Sequence, residues 1–169
     1  EGLRYAGIDT SEKYYQKWKE VSEEFNPNDS YLLELTKPIR EQAAKAENLL
    51  DKNIIEMLNK ERLIEIIHDF VVFDRGQKKF CRPNQYFGIK AAQESLRNKE
   101  GGIIWHTQGS GKSLTMVWLT KWIKEYNPNA RVLIVTDRDE LDKQIEKVYK
   151  GVSEDIYRCK PRNGKSGGA

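Results

Sequence analysis

The stretch that most constrains this chain is GIIWHTQGSGKSLTMVWLTKWIKEY, residues 102–126. It sets a short apolar run, a turn with two glycines and an amphipathic segment in immediate succession. The run Ile103-Ile104-Trp105 suits a buried strand, and Leu114, Val117, Trp118, Lys121 and Trp122 recur in helical register after it. Between them, Gly109 and Gly111 let the backbone turn back and aim several N–H groups at one point. A helix starting near Lys112 directs its unpaired N–H groups and the positive end of its dipole at that same point. Such a pocket suits a phosphate. Lys112 can then reach the β- and γ-phosphates of a nucleotide, and the Ser113 hydroxyl can take one place on Mg2+.

The general spacing G-x-x-x-x-G-K-[ST] asks for glycine at position 106, where this chain has His106. The first position shapes the turn, whereas residues 109–113 make the phosphate cradle. His106 therefore leaves the cradle intact. It argues against small kinases that carry the full glycine pattern.

The pattern continues as a unit. NPNA at 127–130 is a turn, RVLIVT at 131–136 reads as a second buried strand, and DRDELDKQIEKVY reads as a helix opened by acids that suit its N-terminal dipole. Strand, loop, helix, turn, strand is one βαβ unit, which implies parallel strands and a right-handed crossover. Upstream, RPNQYFGIKAAQESLRN reads as a helix with Pro83 at its first position, ended by KEGG at 99–102.

The first 75 residues read differently. DTSEKYYQKWKEVSEEFN places Tyr14, Trp18, Val21 and Phe25 at helical spacing, with Asp9, Thr10 and Ser11 as candidate caps. NPND at 26–29 breaks it. A mostly polar helix is expected from about Pro38 through REQAAKAENLLDKNIIEML. A shorter one follows Asn59 as N-cap, with Leu63, Ile66, Ile67 and Phe70 on one face. His68 lies within it and reads as a structural histidine, since neither a second ligand nor a nucleophile is near in sequence. DRGQKK at 74–79 reads as a turn or linker. The basic, glycine-rich KPRNGKSGGA at 160–169 reads as a loop or tail.

Charge separates these halves. Residues 1–75 hold 11 Lys and Arg against 16 Asp and Glu, a net of −5, while residues 76–169 hold 18 against 10, a net of +8. A basic half that also carries the glycine loop can favour nucleotides or nucleic acid, although a solvated lysine-rich surface has the same composition. The longest apolar runs, IIW and FVVF, are too short to cross a bilayer, and EGLRYAGIDTSEKYYQKWKE has no apolar core of the kind a secretion signal needs. Cys81 and Cys159 lack metal-like spacing, which fits free thiols in a reducing cytosol rather than a zinc site.

GGIIWHTQGSGKSLTM followed by RVLIVTDRDELDKQI resembles the motor (R) subunit of type I restriction enzymes, within superfamily 2 of helicases and translocases. WHTQGSGKS matches the family's motif I and VLIVTDRDELDKQ its motif Ia. FVVFDRGQKKFCRPNQYFGIKAA and GIDTSEKYYQKWKE also resemble it, the latter the stretch between nuclease and motor domains. The resemblance implies an α/β fold: a partial RecA-like phosphate-loop lobe over 81–169, with parallel strands and flanking helices, preceded by a mainly helical connector over 1–80. It implies ATP and Mg2+ as ligands. Lys112 and Ser113 would be the catalytic pair, and Thr107, Gln108, Gly109, Ser110 and Gly111 would form the loop. Gln85, helped by Arg82, would read adenine; taken without the resemblance, Gln85 is an exposed helix residue. Thr136, Asp137 and Arg138 would contact the DNA backbone, with a surface ion pair as the alternative for Arg138.

The implied activity is ATP-dependent translocation along duplex DNA, coupled to cleavage elsewhere. The implied partners are duplex DNA and the methyltransferase and specificity subunits, in the cytoplasm, with no membrane. The family's Asp-Glu-x-His motif, its second-lobe motifs and its nuclease acids are not found in these 169 residues. The expectation is therefore a fragment that binds ATP weakly and does not hydrolyse it alone. Other superfamily 2 helicases or remodellers are the alternative. A phosphate-loop kinase or switch would need a substrate lid that the helical N-terminal half does not offer, and a non-enzymatic docking module leaves GSGKS unexplained.

Overall fold

The computed structural model describes residues 2–24 and 29–157. Its elements, in order, are strands β1 (Arg4–Tyr5) and β2 (Gln16–Lys17), helices α1 (Ser30–Ala43), α2 (Leu49–Leu58) and α3 (Lys60–Asp69), strands β3 (Val71–Asp74) and β4 (Gln77–Phe80), and helices α4 (Pro83–Arg97), α5 (Lys112–Tyr126) and α6 (Asp139–Gly151). The chain is mixed α/β, with helices predominating. Its sheets among the described residues are two antiparallel pairs, β1–β2 and β3–β4.

Helices with caps written into the sequence form where expected. Asn59 accepts hydrogen bonds from the Glu61 and Arg62 N–H groups and starts α3. Pro83 occupies the first turn of α4, where its missing N–H costs nothing. Acidic Asp139, Glu140 and Asp142 fill the first turn of α6. The polar helix expected from Pro38 is instead two helices. α1 starts earlier, with Asp29 accepting from the Leu32 N–H, and carries Pro38 inside it. The Thr36 and Arg40 side chains donate to the Leu32 and Leu33 carbonyls in the turn before that proline. Asn48 then caps α2 through the Asp51 N–H. On α3 the buried face is Arg62, Ile66 and Phe70, while Ile67 points to solvent.

The helix expected over residues 9–26 does not form. Glu12–Tyr14 makes one tight turn, and Gln16–Lys17 pairs with Arg4–Tyr5. Trp18 and Val21 are buried but Tyr14 is exposed, and Phe25 lies outside the described residues. Contacts distant in sequence override the local periodicity. The Arg62 guanidinium, from α3, pairs with Glu20 and donates to the Glu56 carbonyl. It sits 5.2–5.5 Å from the ring centres of Trp18, Tyr86 and Phe87. The pair is buried, so each charge depends on the other for solvation. Glu65 extends this bracing by accepting from the Tyr86 hydroxyl at 2.6 Å and from the Lys90 ammonium at 2.5 Å, which ties α3 to α4.

DRGQKK is the turn and second strand of a hairpin. Arg75 and Gly76 both take positive φ, 52° and 80°, the two-residue turn that matches strand twist, and Val71 to Asp74 pair with Phe80 to Gln77. The end of α6 docks on that turn through the Arg75 N–H and the Gly151 carbonyl, 2.9 Å apart. A Cβ at Gly151 would lie 2.4 Å from an Asp74 carboxylate oxygen, so a larger residue there would have to displace that side chain.

The parallel sheet expected from residues 103–105 and 131–136 is absent among the described residues. Neither segment is a strand, and Ile103, Trp105, Leu133 and Val135 are each more than three-quarters exposed. An apolar run becomes a buried strand only when a neighbour supplies its backbone partners, and no described segment pairs with these two. The core lies instead among the helices. Trp18, Ile66, Phe70, Tyr86, Phe87, Val117, Trp118, Ile145 and Tyr149 form one continuous apolar cluster, which crosses position 80. Within it the Thr120 hydroxyl and the Tyr149 phenol pair at 2.8 Å between α5 and α6.

Candidate nucleotide-binding site

The glycine loop leads straight into α5. Gly109 and Gly111 adopt φ of 77° and 87°, the left-handed region that other residues enter at a cost. Gly111 is the residue before the helix, and its carbonyl accepts from the Leu114 and Thr115 N–H groups. That leaves the N–H groups of Lys112 and Ser113 without intrahelical partners, facing out of the N-terminus. The Lys112 ammonium curls over the loop and donates to the His106 and Thr107 carbonyls at 3.1 and 2.9 Å. The Ser110 hydroxyl donates to the Thr107 carbonyl at 2.7 Å and tightens the same curl. Thr107, Gln108 and Gly109 are exposed, and Ser110, Gly111 and Ser113 half-buried. Chemically the loop places the free N–H groups of a helix start beside one cation, a polarity that suits a phosphate.

The first turn of α4 underpins the loop. Gln85 is only 2% exposed, which excludes its reading as an exposed helix residue. Its amide oxygen accepts from the Arg82 N–H at 2.8 Å, and its amide nitrogen donates to the Gly111 carbonyl at 2.9 Å. The Arg82 guanidinium donates to the Gly109 carbonyl at 3.1 Å. Arg82 and Gln85, chosen as adenine readers, thus meet the loop at both of its glycines. The close packing is specific to Gly111, where a Cβ would fall 2.4 Å from the Gln85 nitrogen; at Gly109 nothing stands within 4 Å.

Thr136, Asp137 and Arg138 lie just before α6. Arg138 faces Asp137 at 3.7 Å with both side chains about three-quarters exposed, and the hydrogen bonds that build the loop do not include them. His68 is satisfied by Asp69, as a structural histidine would be, but it is solvent-facing. The hydrogen bond and negative charge of Asp69, and then Glu125, raise its pKa. Cys81 is a buried free thiol, pushed up to about 12 by desolvation, and Cys159 lies outside the described residues, as does the tail at 160–169.

Two contacts were not anticipated: the His106 ring nitrogen Nε2 lies 3.1 Å from the Asn84 carbonyl, and Gly88 lies directly beneath it. The signal available in the sequence was Gly88 itself, a glycine inside a helix, where it is disfavoured without a packing reason.

The class of protein emerges on comparison. The SWI2/SNF2 ATPase family matches residues 84–165, a span that holds α4 from its second residue, the glycine loop, α5 and α6. The chain is similar to the type I restriction enzyme HindI endonuclease subunit of Haemophilus influenzae, 30% identical over 144 residues, which cover 75% of this chain and 14% of that protein. Two putative type I restriction enzyme endonuclease subunits of Methanocaldococcus jannaschii are also similar. MjaIXP is 33% identical over 122 residues, covering 65% of this chain and 12% of its own length. MjaVIIP is 29% identical over 133 residues, covering 69% and 12%. The chain is a homologue of the endonuclease (R) subunits of type I restriction enzymes. It spans about an eighth of the length of these curated relatives.

Proposed function

We propose that this chain is the ATP-binding part of a restriction and translocation subunit, in which ATP use at the glycine loop drives movement along duplex DNA and cleavage takes place elsewhere in the parent protein. The observation that carries this is the cradle at 107–113, braced at Gly109 and Gly111 from one helix and opening onto the N-terminus of another. Lys112 would leave the His106 and Thr107 carbonyls for the β- and γ-phosphates, exchanging neutral acceptors for charged ones. Ser113, on the first turn, would take a place on Mg2+. The residues present fit both groups: the start of α5 offers unpaired N–H donors, and Ser113 and Lys112 on its first turn offer a hydroxyl and a cation.

Gln85 and Arg82 would read adenine from the loop's edge. Because the Gln85 amide is already engaged on both sides, recognition of the base would be coupled to the shape of the phosphate loop. The lobe at 81–169 would be RecA-like, its parallel sheet drawing in residues 103–105 and 131–136 with further strands, and residues 1–80 would connect it to the nuclease domain. Thr136, Asp137 and Arg138 would contact the DNA backbone; Arg138 is exposed enough to leave Asp137 for a phosphate. Partners would be duplex DNA and the methyltransferase and specificity subunits, in the cytoplasm. No helix of the described residues is long and apolar enough to cross a membrane.

The SWI2/SNF2 match favours one second reading, a duplex-tracking remodeller without a nuclease. ATP hydrolysis by the full-length polypeptide with its partner subunits separates the two. Strong stimulation by duplex carrying the recognition site supports the restriction translocase. Equal stimulation by any duplex supports the remodeller, and stimulation by single strands alone rejects both.

A further inference from the structure

The histidine at the first loop position is the residue this reading leaves unused, and it occupies a built place. Its Nε2 lies 3.1 Å from the Asn84 carbonyl on the first turn of α4. Since a carbonyl only accepts, Nε2 carries the proton. Nδ1 is buried and has no partner, so the ring's one hydrogen bond is to α4. The backbone of the same residue turns the other way: the His106 carbonyl accepts from the Lys112 ammonium at 3.1 Å. Beneath the ring is Gly88, where a Cβ would stand 3.2 Å from Nε2 and 3.4 Å from the Ile104 side chain. Glycine inside a helix is unfavourable relative to alanine, and here its missing side chain makes the room in which the imidazole lies.

We infer that His106 is a positioning residue for nucleotide binding. It pins the start of the phosphate loop to α4 and so presets where the Lys112 ammonium sits, with Gly88 as the socket that admits it. A glycine at 106 would still turn the chain but would leave the start of the loop held only by its backbone. With His106 in place, the loop is fixed to α4 at three points: at its start by His106 on Asn84, at Gly109 by Arg82, and at Gly111 by Gln85. This inference rests on the proposed ATP site.

The test uses the full-length polypeptide, with the affinity for Mg2+ and a non-hydrolysable ATP analogue measured by calorimetry, kcat and KM for ATP measured alongside, and thermal melting as the check on folding. His106→Ala should weaken binding by about 3- to 10-fold, the size of one net hydrogen bond, and raise KM by more than it lowers kcat. His106→Gln, whose amide N–H can reach the Asn84 carbonyl, should recover most of the affinity. Gly88→Ala should melt at the same temperature or higher, because alanine favours the helix, and yet bind more weakly, because the imidazole must shift by a few tenths of an ångström. Combined with His106→Ala it should cost little more than His106→Ala alone.

Unchanged affinity in His106→Ala, or a loss matched by a fall in melting temperature and not recovered by His106→Gln, overturns the inference while leaving the ATP site standing. If the unsubstituted protein and Lys112→Ala bind the analogue equally poorly, the ATP reading itself fails, and the inference with it.

Discussion

The two sides of the glycine loop differ in how they are held. On the α4 side, the loop is braced by Arg82, Gln85 and His106, and α4 is itself locked to α3 through Glu65 and to the N-terminal segment through Trp18 and Arg62. On the other side, residues 103–105 and 131–136 carry the apolar side chains of buried strands, yet Ile103, Trp105, Leu133 and Val135 face solvent and Ile134 alone of the second segment packs against the core. The contrast teaches that a glycine loop at a helix start is a local device. Two glycines, a helix N-terminus and one supporting helix are sufficient to shape it. A parallel sheet is not local, because its strands need neighbours distant in sequence and cover on both faces.

The sharpest way to break this contrast is at the loop. In the full-length polypeptide, Lys112→Ala should lower kcat/KM for ATP by about 100- to 1,000-fold, as expected when a charge aimed at a phosphate is removed from a preorganised site. Retained turnover in steady-state kinetics would show that the cradle is not where ATP reacts.

Next in size is the buried brace on the well-held side. Arg62→Ala strands Glu20 without its partner and empties the space among three rings, so denaturant unfolding should show a loss of about 3–5 kcal/mol. Trp118→Ala, at a residue 1% exposed, should cost a similar 3–5 kcal/mol, whereas Val135→Thr, on a side chain 83% exposed, should stay within about 0.5 kcal/mol in the 169-residue chain. A large cost at Val135 would mean that the exposed segment is buried in solution.

The two loop glycines refine the contrast further. Gly111→Ala meets both a left-handed φ and the Gln85 amide, and should cost about 1–3 kcal/mol together with nucleotide affinity. Gly109→Ala meets only the φ, with a cost of about 1 kcal/mol. Equal losses by thermal melting would remove the Gln85 brace from the account.

The smallest effect is a pH dependence. Desolvation raises the Glu56 carboxyl pKa, outweighing the opposing pull of Lys52. A carboxyl whose folded pKa exceeds its unfolded one favours the fold when protonated, so its contribution is full below the unfolded pKa and is lost as pH rises through the folded one. Glu56→Gln should therefore melt slightly higher than the unsubstituted chain at neutral pH, with the gain shrinking below the ordinary carboxylate range. A gain that grows on acidification would reverse the sign.

What was legible in the sequence follows the same division. Asn59, Pro83, the two glycines and the acids at 139–142 act on backbone within a turn of themselves, and the elements they mark formed where they were expected. The helical spacing of Trp18 misled because its ring is buried against Arg62 and Tyr86, more than 40 residues away. At the candidate site, the turn at Gly109 and Gly111 into α5 was readable from spacing. That the Gln85 amide turns inward to the Gly111 carbonyl, and that Gly88 makes room for His106, depend on how α4 docks, which no local pattern encodes.

The most direct test of the central claim is titration of the full-length polypeptide with ATP and Mg2+ under non-turnover conditions, compared with Lys112→Ala. Binding should be saturable and one-to-one, need Mg2+ for full affinity and be weakened at least about tenfold by the substitution. Binding of equal strength in both proteins would contradict it, since the cation at the rim of the loop would then have no part in holding the phosphates.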